Sequence, residues 1–231
     1  MAKAPHLGRA KTRLRGFLTD HETETLAGAF FADTLRCAQT TGVQIIIAFT
    51  PTGGSRELKT IASNPDTFIW TEQINGNLGE RMASAAEFAR AQGFWPIVFL
   101  GADSPNLPPE TVRSALDLLE CGPADIVLGP CLDGGYYLIG LRRFDCALFD
   151  NVPWSTADVF DQTYSNAEKL EYEIEVLEPW YDVDEVGDLR RLIMDVRAAP
   201  ATAPATRHWL EQHGDLTFSE AGDTCVRESE G

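Results

Sequence analysis

Three short runs constrain the fold more than anything else in the chain: VQIIIAFT (43–50), WPIVFLGA (95–102) and ADIVLGP (124–130). Each is continuously apolar and rich in β-branched residues, and the first is bounded by Gly42 and the Pro51/Gly53/Gly54 turn. Runs of this kind read as strands. Their apolar residues follow one another instead of alternating, so both faces need cover, as in a parallel sheet between helices. TFIW (67–70), YYLIGL (136–141) and YEIEVL (172–177) read as shorter strands. Helical patterns fall between them. Residues 22–41 are rich in Ala, Leu and Phe, and 78–92 place Leu78, Met82, Ala85 and Ala89 on one stripe. Val112, Ala115, Leu116 and Leu119 follow Pro108-Pro109, a suitable helix entry. Alternation of this kind predicts an α/β fold: a three-layer α/β/α sandwich around a mostly parallel, Rossmann-like sheet. Residues 43–50, 96–101 and 125–129 are expected as interior strands of that one sheet.

With 231 residues, 44% of them hydrophobic, the chain has enough material for one large domain, expected over 1–199. After Pro200 the composition turns to Ala, Thr and Pro and then acidic, predicting a C-terminal helix and a frayed tail over 200–231. No run approaches the ~20 apolar residues of a membrane span, and no apolar segment follows the N-terminal charges. The five cysteines (Cys37, Cys121, Cys131, Cys146, Cys225) are scattered and form no CxxC pair. That argues against a disulfide framework or a zinc site and predicts a cytoplasmic protein.

The formal net charge is −16, yet five of the 19 basic residues stand in the first fifteen positions, with no acid among them. They are Lys3, Arg9, Lys11, Arg13 and Arg15, around Gly8. The rest of the chain holds 14 basic residues against 35 acidic ones, which disfavours nucleic acid and anionic membranes as partners. GRAKT is not a P-loop, because Ala10 stands where Gly must precede the Lys and no full strand lies in front. The segment is either a solvated basic tail or a turn that offers backbone N–H groups and cations to a phosphate.

Other stretches carry paired readings. Asp103, just past an apolar strand in FLGADSP, is a helix N-cap or a ligand residue in the crevice beyond the strand ends. Asp182, Asp184 and Asp188 in YDVDEVGDL complement a helix dipole, or supply a second carboxylate for Mg²⁺ and a diphosphate. In GPCLDGGYYLIGL, Asp133, Gly134, Gly135 and Tyr136 form an Asp-Gly turn or a surface for close approach of a ligand. In QINGNLGERM, Gln73, Gly76 and Gly79 line a base pocket, or Arg81 merely ends up on a surface helix.

Taken in order, KAPHLGRAKTRL, GNLGERM, LGADSP, GPCLDGGYYLIGL, VPWST and WYDVDEVGDL resemble the DUF2064 family, also called selenodomain-associated transferase 1. That family lies in the nucleotide-diphospho-sugar transferase superfamily, with the GT-A fold, and the likeness spans residues 2–196. More distantly the chain is similar to phospholactate guanylyltransferases and molybdenum-cofactor nucleotidyltransferases. The resemblance implies that Lys3, Gly8, Lys11 and Arg13 form the nucleotide phosphate loop. It implies that Asp103 and Asp184 hold the metal, Mg²⁺ (or Mn²⁺), supported by Asp182 and Asp188, and that Asp133, Gly134, Gly135 and Tyr136 face the acceptor or sugar. Lys11, Asp103 and Asp184 are the catalytic candidates.

Two departures stand out. Relatives carry a full strand before the KxP segment, whereas the sequence here reads Met1-Ala2-Lys3, so the neighbouring strands are expected to face a gap unless another element fills it. The usual Asp-Thr-Pro-Glu-Asp pattern reads Asp184-Glu185-Val186-Gly187-Asp188, and Gly187 weakens the helix start. The function expected is a Mg-dependent transferase acting on a nucleoside triphosphate or nucleotide sugar and a small-molecule acceptor. Glycosyl transfer is the leading form and nucleotidyl transfer with pyrophosphate release the alternative. A non-catalytic nucleotide-binding protein is the reading from another class, and a homo-oligomer is compatible with all three.

Overall fold

The computed structural model describes residues 1–6, 10–199, 201–214, 216–218 and 225–226. Its strands are β1 (Ala2–Lys3), β2 (Ile46–Thr50), β3 (Ile69–Glu72), β4 (Ile97–Leu100), β5 (Ile126–Pro130), β6 (Tyr136–Leu141) and β7 (Ile174–Val176). The helices are α1 (Asp20–Gln39), α2 (Ser55–Ile61), α3 (Leu78–Ala91), α4 (Pro109–Glu120), α5 (Val159–Lys169), α6 (Val186–Ala198) and α7 (Pro204–His213). Thr217–Phe218 and Cys225–Val226 pair as a small antiparallel β8–β9 ladder, and most of the expected tail lies outside the described residues.

Helix ends follow local chemistry. Thr19 caps α1 in a capping box with Glu22, and Asn77 caps α3 in the same way with Glu80. Pro109 and Pro204 occupy first turns, where a missing N–H costs nothing. Despite Gly187, α6 starts cleanly because Glu185 and Asp188 form a reciprocal capping box.

The architecture is mixed α/β in three layers. In the second sheet β5 is fully buried along Ile126, Val127 and Leu128, as its unbroken apolar run requires. On one face Val127 and Leu138 pack with Val112, Ala115 and Leu119 of α4. On the other, Ile126, Leu128, Ile139 and Leu141 pack with Met82 of α3 and Ala167 of α5. Ile47 and Phe49 of β2 meet Phe31 and Leu35 of α1 and Leu58 of α2. Beyond 200, α7 docks on α1: Asp33 accepts from the backbone N–H groups of Ala205 and Thr206, and Trp209 is buried.

The strands do not form one continuous ladder. β1-β2-β3 is parallel throughout, whereas β4-β6-β5-β7 is mixed, with β6 antiparallel to both β4 and β5. Residues 43–50 therefore lie apart from 96–101 and 125–129, and β4 is an edge strand of its ladder instead of an interior one. The reason is the length of β1. Two residues pair with β2 (Ala2↔Phe49, Lys3↔Thr50), and the Met1 amino group donates to Leu100 O at 2.8 Å, so one short segment joins the two ladders only at their carboxyl end. Behind it an apolar cavity of about 360 Å³ separates β2 from β4. All four residues of β4 are consequently only half-buried, although IVFL is as apolar as the buried run of β5.

Candidate functional site

The residues that carry chemistry gather where the strands end. The run after β1 brings Lys11, the loop after β4 brings Asp103, the turn after β5 brings Cys131 and Asp133, and the segment after β7 brings Asp182 and Asp184. Crevices at this edge of α/β sheets are where ligands bind.

Lys11 is the centre of the group. Its backbone is left-handed (φ 52°), an uncommon conformation for a residue with a side chain. Its side chain is only 4% exposed. Nζ contacts Asp103 Oδ1 and donates to Asp184 Oδ1 at 2.9 Å, and the Phe30 ring lies beneath it with its centroid 5.7 Å away. Burial opposes the ammonium charge, but Asp103 first and Asp184 next outweigh it, and the pKa sits above the ordinary lysine value. Both carboxylates remain about half exposed, so their outer oxygens face solvent.

The two loops that carry these aspartates are fastened together. Val183 N–H donates to Asp103 O at 2.9 Å, and Ser104 Oγ donates to Tyr181 O at 2.9 Å. Asn106 Nδ2 donates to Tyr181 Oη at 2.6 Å, and Tyr181 Oη donates to Asp195 Oδ2 at 2.6 Å. Arg191 stacks on the Tyr181 ring at 4.0 Å. Asp188 Oδ2 accepts from the N–H groups of Asp184 and Glu185, which fixes the backbone beside the second carboxylate. Sequence reasoning missed Asn106, Tyr181 and Asp195, because only tertiary convergence puts them in contact.

Cys131, Asp133 and Asp182 form a neighbouring cluster, with one ligand atom of each within 4.8 Å of the others. Burial, then Asp133 and Asp184, raise the Asp182 pKa to about 6. Burial and the surrounding carboxylates push the Cys131 thiol well up, so it stays protonated. A hard cation such as Mg²⁺ takes carboxylate oxygens and has no use for a thiol. Four carboxylates around one ammonium leave an excess of negative charge, and Asp103 and Asp184 already aim oxygens at a common cation. By this chemistry Asp103 and Asp184 are the pair that could hold a hard divalent cation such as Mg²⁺ or Mn²⁺, with Asp133 and Asp182 beside them.

Other sequence candidates are placed differently. Lys3 is exposed at the end of β1, and Arg13 lies at the rim, paired with Glu185 at 3.3 Å. Gly8 lies outside the described residues. The Gln73 amide donates to Ala48 O at 2.7 Å and Ala2 O at 3.4 Å, so it fastens β1 and β2 together. Gly76 forms the turn before α3. Gly79 lets α3 approach Trp154, where an added Cβ would stand 2.6 Å from the indole. Gly134 (φ +91°) abuts the carbonyl of Ala157, where a Cβ would stand at 2.0 Å, so the Asp133–Gly135 turn is built to seat the start of α5. Gly135 donates its N–H to Asp133 Oδ1 at 2.9 Å, leaving the other carboxylate oxygen free of that bond. Tyr136 packs, with Phe160 and Tyr164 of α5, against the core cluster around Ile126 and Ile139.

Residues 34–156 match the sequence profile of the family described as uncharacterized protein conserved in bacteria (DUF2064). No curated protein matches the chain. Among solved structures, one from Desulfovibrio desulfuricans G20, provisionally named a nucleotide-diphospho-sugar transferase, is 29% identical, with 91% of each chain covered and a TM-score of 0.80. CMP:2-keto-3-deoxy-manno-octonic acid synthetase complexed with CTP is 10% identical, with 73% of this chain and 88% of that one covered and a TM-score of 0.53, and it shares the fold. Rv0371c from Mycobacterium tuberculosis H37Rv is 18% identical over 71% of this chain and 83% of that one, at a TM-score of 0.48.

Proposed function

The chain belongs to the DUF2064 family, and from that membership and the site at its strand ends we propose that it is a transferase acting on a nucleotide-activated donor. The observation that carries this reading is Lys11: a buried ammonium in left-handed backbone, held between carboxylates from two different strand ends. Such an arrangement is costly unless the charges are used, because it gathers aspartates that repel one another and strains the backbone that carries the cation.

A diphosphate in the crevice meets Lys11, with Arg13 and Lys3 at the mouth, and these cations stabilise the charge that develops as the nucleotide leaves. Asp103 and Asp184 are the residues that would hold a divalent cation such as Mg²⁺ or Mn²⁺, which would supply further positive charge beside the diphosphate. Asp182 has a pKa of about 6 and stands next to Asp133, so at neutral pH it is a carboxylate basic enough to accept a proton. That favours glycosyl transfer, in which an acceptor hydroxyl must lose its proton, over nucleotidyl transfer, in which the attacking phosphate oxygen is already ionised. The likeness to the provisionally named Desulfovibrio desulfuricans protein supports the same class.

The test is a panel of nucleoside triphosphates and nucleotide sugars incubated with the protein, Mg²⁺ and a small-molecule extract. Release of nucleoside diphosphate from a nucleotide sugar, lost in Asp103→Asn, is the expected result. Pyrophosphate release would move the assignment to nucleotidyl transfer. Absence of turnover together with tight nucleotide binding would make the protein a binding module.

A further inference from the structure

We propose that Lys11 is a tethered cation that competes with a divalent ion for Asp103 and Asp184, so that the pair takes such an ion well only together with a diphosphate. The ligand of the crevice is then a metal–diphosphate complex, and the metal alone binds poorly. The inference rests on the transferase reading only for the identity of the anion.

The position of Nζ carries the argument. It is held by Oδ1 of Asp103 and Oδ1 of Asp184, the latter at 2.9 Å, so one oxygen comes from each carboxylate of the candidate metal pair. A hard cation bridging those two oxygens would stand about 2.1 Å from each. That is the ground the ammonium covers, and two positive charges so close repel strongly. To bridge the pair, a metal has to displace Nζ.

Displacement is costly because the side chain has no second partner to turn to. Lys11 is almost wholly buried, and among the described residues Nζ contacts the two aspartates and the face of Phe30. The backbone does not let it withdraw either. Lys11 stands in left-handed backbone at the start of a 3₁₀ turn over Thr12–Leu14. Leu14 N–H donates to Lys11 O at 3.0 Å, and the Leu14 side chain is completely buried, which pins the turn in place. An ammonium pushed off the aspartates there becomes a buried charge without a counter-ion.

A diphosphate removes that cost. It gives Nζ charge-assisted bonds to phosphate oxygens in exchange for those to the carboxylates. The aspartates are about half exposed, so a cation reaches them from the solvent side while Nζ turns to the anion. Coupling of this kind is reciprocal: the metal strengthens diphosphate binding by the factor by which diphosphate strengthens metal binding.

The test is Mn²⁺ binding, followed by loss of the free-ion EPR signal, in wild type, Lys11→Met, Lys11→Arg and the double variant Lys11→Met/Asp103→Asn. Without added anion, Lys11→Met should bind Mn²⁺ roughly tenfold or more tightly than wild type. Lys11→Arg, which keeps the charge, should bind as weakly as wild type, and the double variant should lose the gain. Inorganic pyrophosphate chelates Mn²⁺ alike in every sample, so differences between the proteins isolate Lys11. It should strengthen Mn²⁺ binding by a factor roughly tenfold or more greater in wild type than in Lys11→Met. No gain in Lys11→Met, a gain that survives Asp103→Asn, tight binding by Lys11→Arg, or an equal response to pyrophosphate would each overturn the proposal. A measurement on wild type avoids any effect of substitution on folding. Acetylation of Lys11 by acetic anhydride, read by mass spectrometry, should be roughly tenfold faster with saturating Mg²⁺ alone and slow again when pyrophosphate is added. Acetylation indifferent to Mg²⁺ would overturn the displacement. No readout involves nucleotide or turnover, so failure here is distinct from failure of the transferase reading.

Discussion

Acetylating the Met1 amino group removes a charge that folding otherwise has to desolvate. The amine is part-buried and donates to Leu100 O, and burial lowers its pKa from 8.0 to about 6, with Asp103 opposing the fall. Each tenfold loss of proton affinity corresponds to about 1.4 kcal/mol, so a roughly hundredfold loss amounts to about 2–3 kcal/mol. Between pH 6 and 8 the unfolded chain binds a proton that the folded chain does not. Stability must therefore rise as pH rises through that window, with the full penalty present below about pH 6 and none above about pH 8. An acetylated terminus keeps an N–H for Leu100 O and has nothing to titrate. Urea denaturation of both forms at pH 5.5, 7 and 8.5 isolates the effect, because every other titrating group, including His6, is common to the two. The acetylated form should be more stable by about 2–3 kcal/mol at pH 5.5, with the gap closing by pH 8.5. A gap that does not change with pH would refute the burial of this amine and the joining of the two ladders through it.

The raised pKa of Asp182 gives the opposite slope. Its folded value of about 6 exceeds the ordinary 3.8, so wild-type stability falls as pH rises from about 4 to about 6, and the advantage of Asp182→Asn in thermal melts should grow across that window. A pH-independent difference would contradict the raised value. Gly79→Ala forces a Cβ against Trp154 and should cost about 1–3 kcal/mol, read as a lower Tm, and an unchanged Tm would contradict that packing. Tyr181→Phe leaves Asn106 and Asp195 without the hydroxyl that joins them. It should cost about 1–3 kcal/mol and also weaken nucleotide binding, whereas unaltered melting and binding would separate this network from the site.

The layers were legible in the sequence because burial on both faces leaves an unbroken apolar run, and β5 displays one. The same signal in β4 could not reveal a half-exposed edge, since exposure there depends on what stands beside the strand and not on the strand itself. The expectation of a gap came from the shortness of the segment before Lys3, and the cavity lies at that position. For the site, charge marked the N-terminal cations and two acidic groups, the resemblance singled out Lys11, Asp103 and Asp184 from among them, and the fold brings these three together. Gly79 and Gly134 read as ligand glycines, yet their neighbours are Trp154 and Ala157, because close approach of protein to protein leaves the same residue type as close approach of a ligand. The proximity of Asp182 to Asp133 and Cys131, and the fastening of two loops through Asn106 and Tyr181, left no local pattern to read.

The most direct test of the central claim is calorimetric titration of nucleoside diphosphates and nucleotide sugars, with and without Mg²⁺, into wild type, Lys11→Met, Asp103→Asn and Asp184→Asn. Losing one charge-assisted phosphate contact costs about 1.5–3 kcal/mol, so Lys11→Met should bind roughly ten- to a hundredfold more weakly. Mg²⁺ should strengthen binding to wild type and have no effect in either Asp→Asn variant. Unchanged affinity in Lys11→Met, or an equal response to Mg²⁺ in all four proteins, would contradict the account.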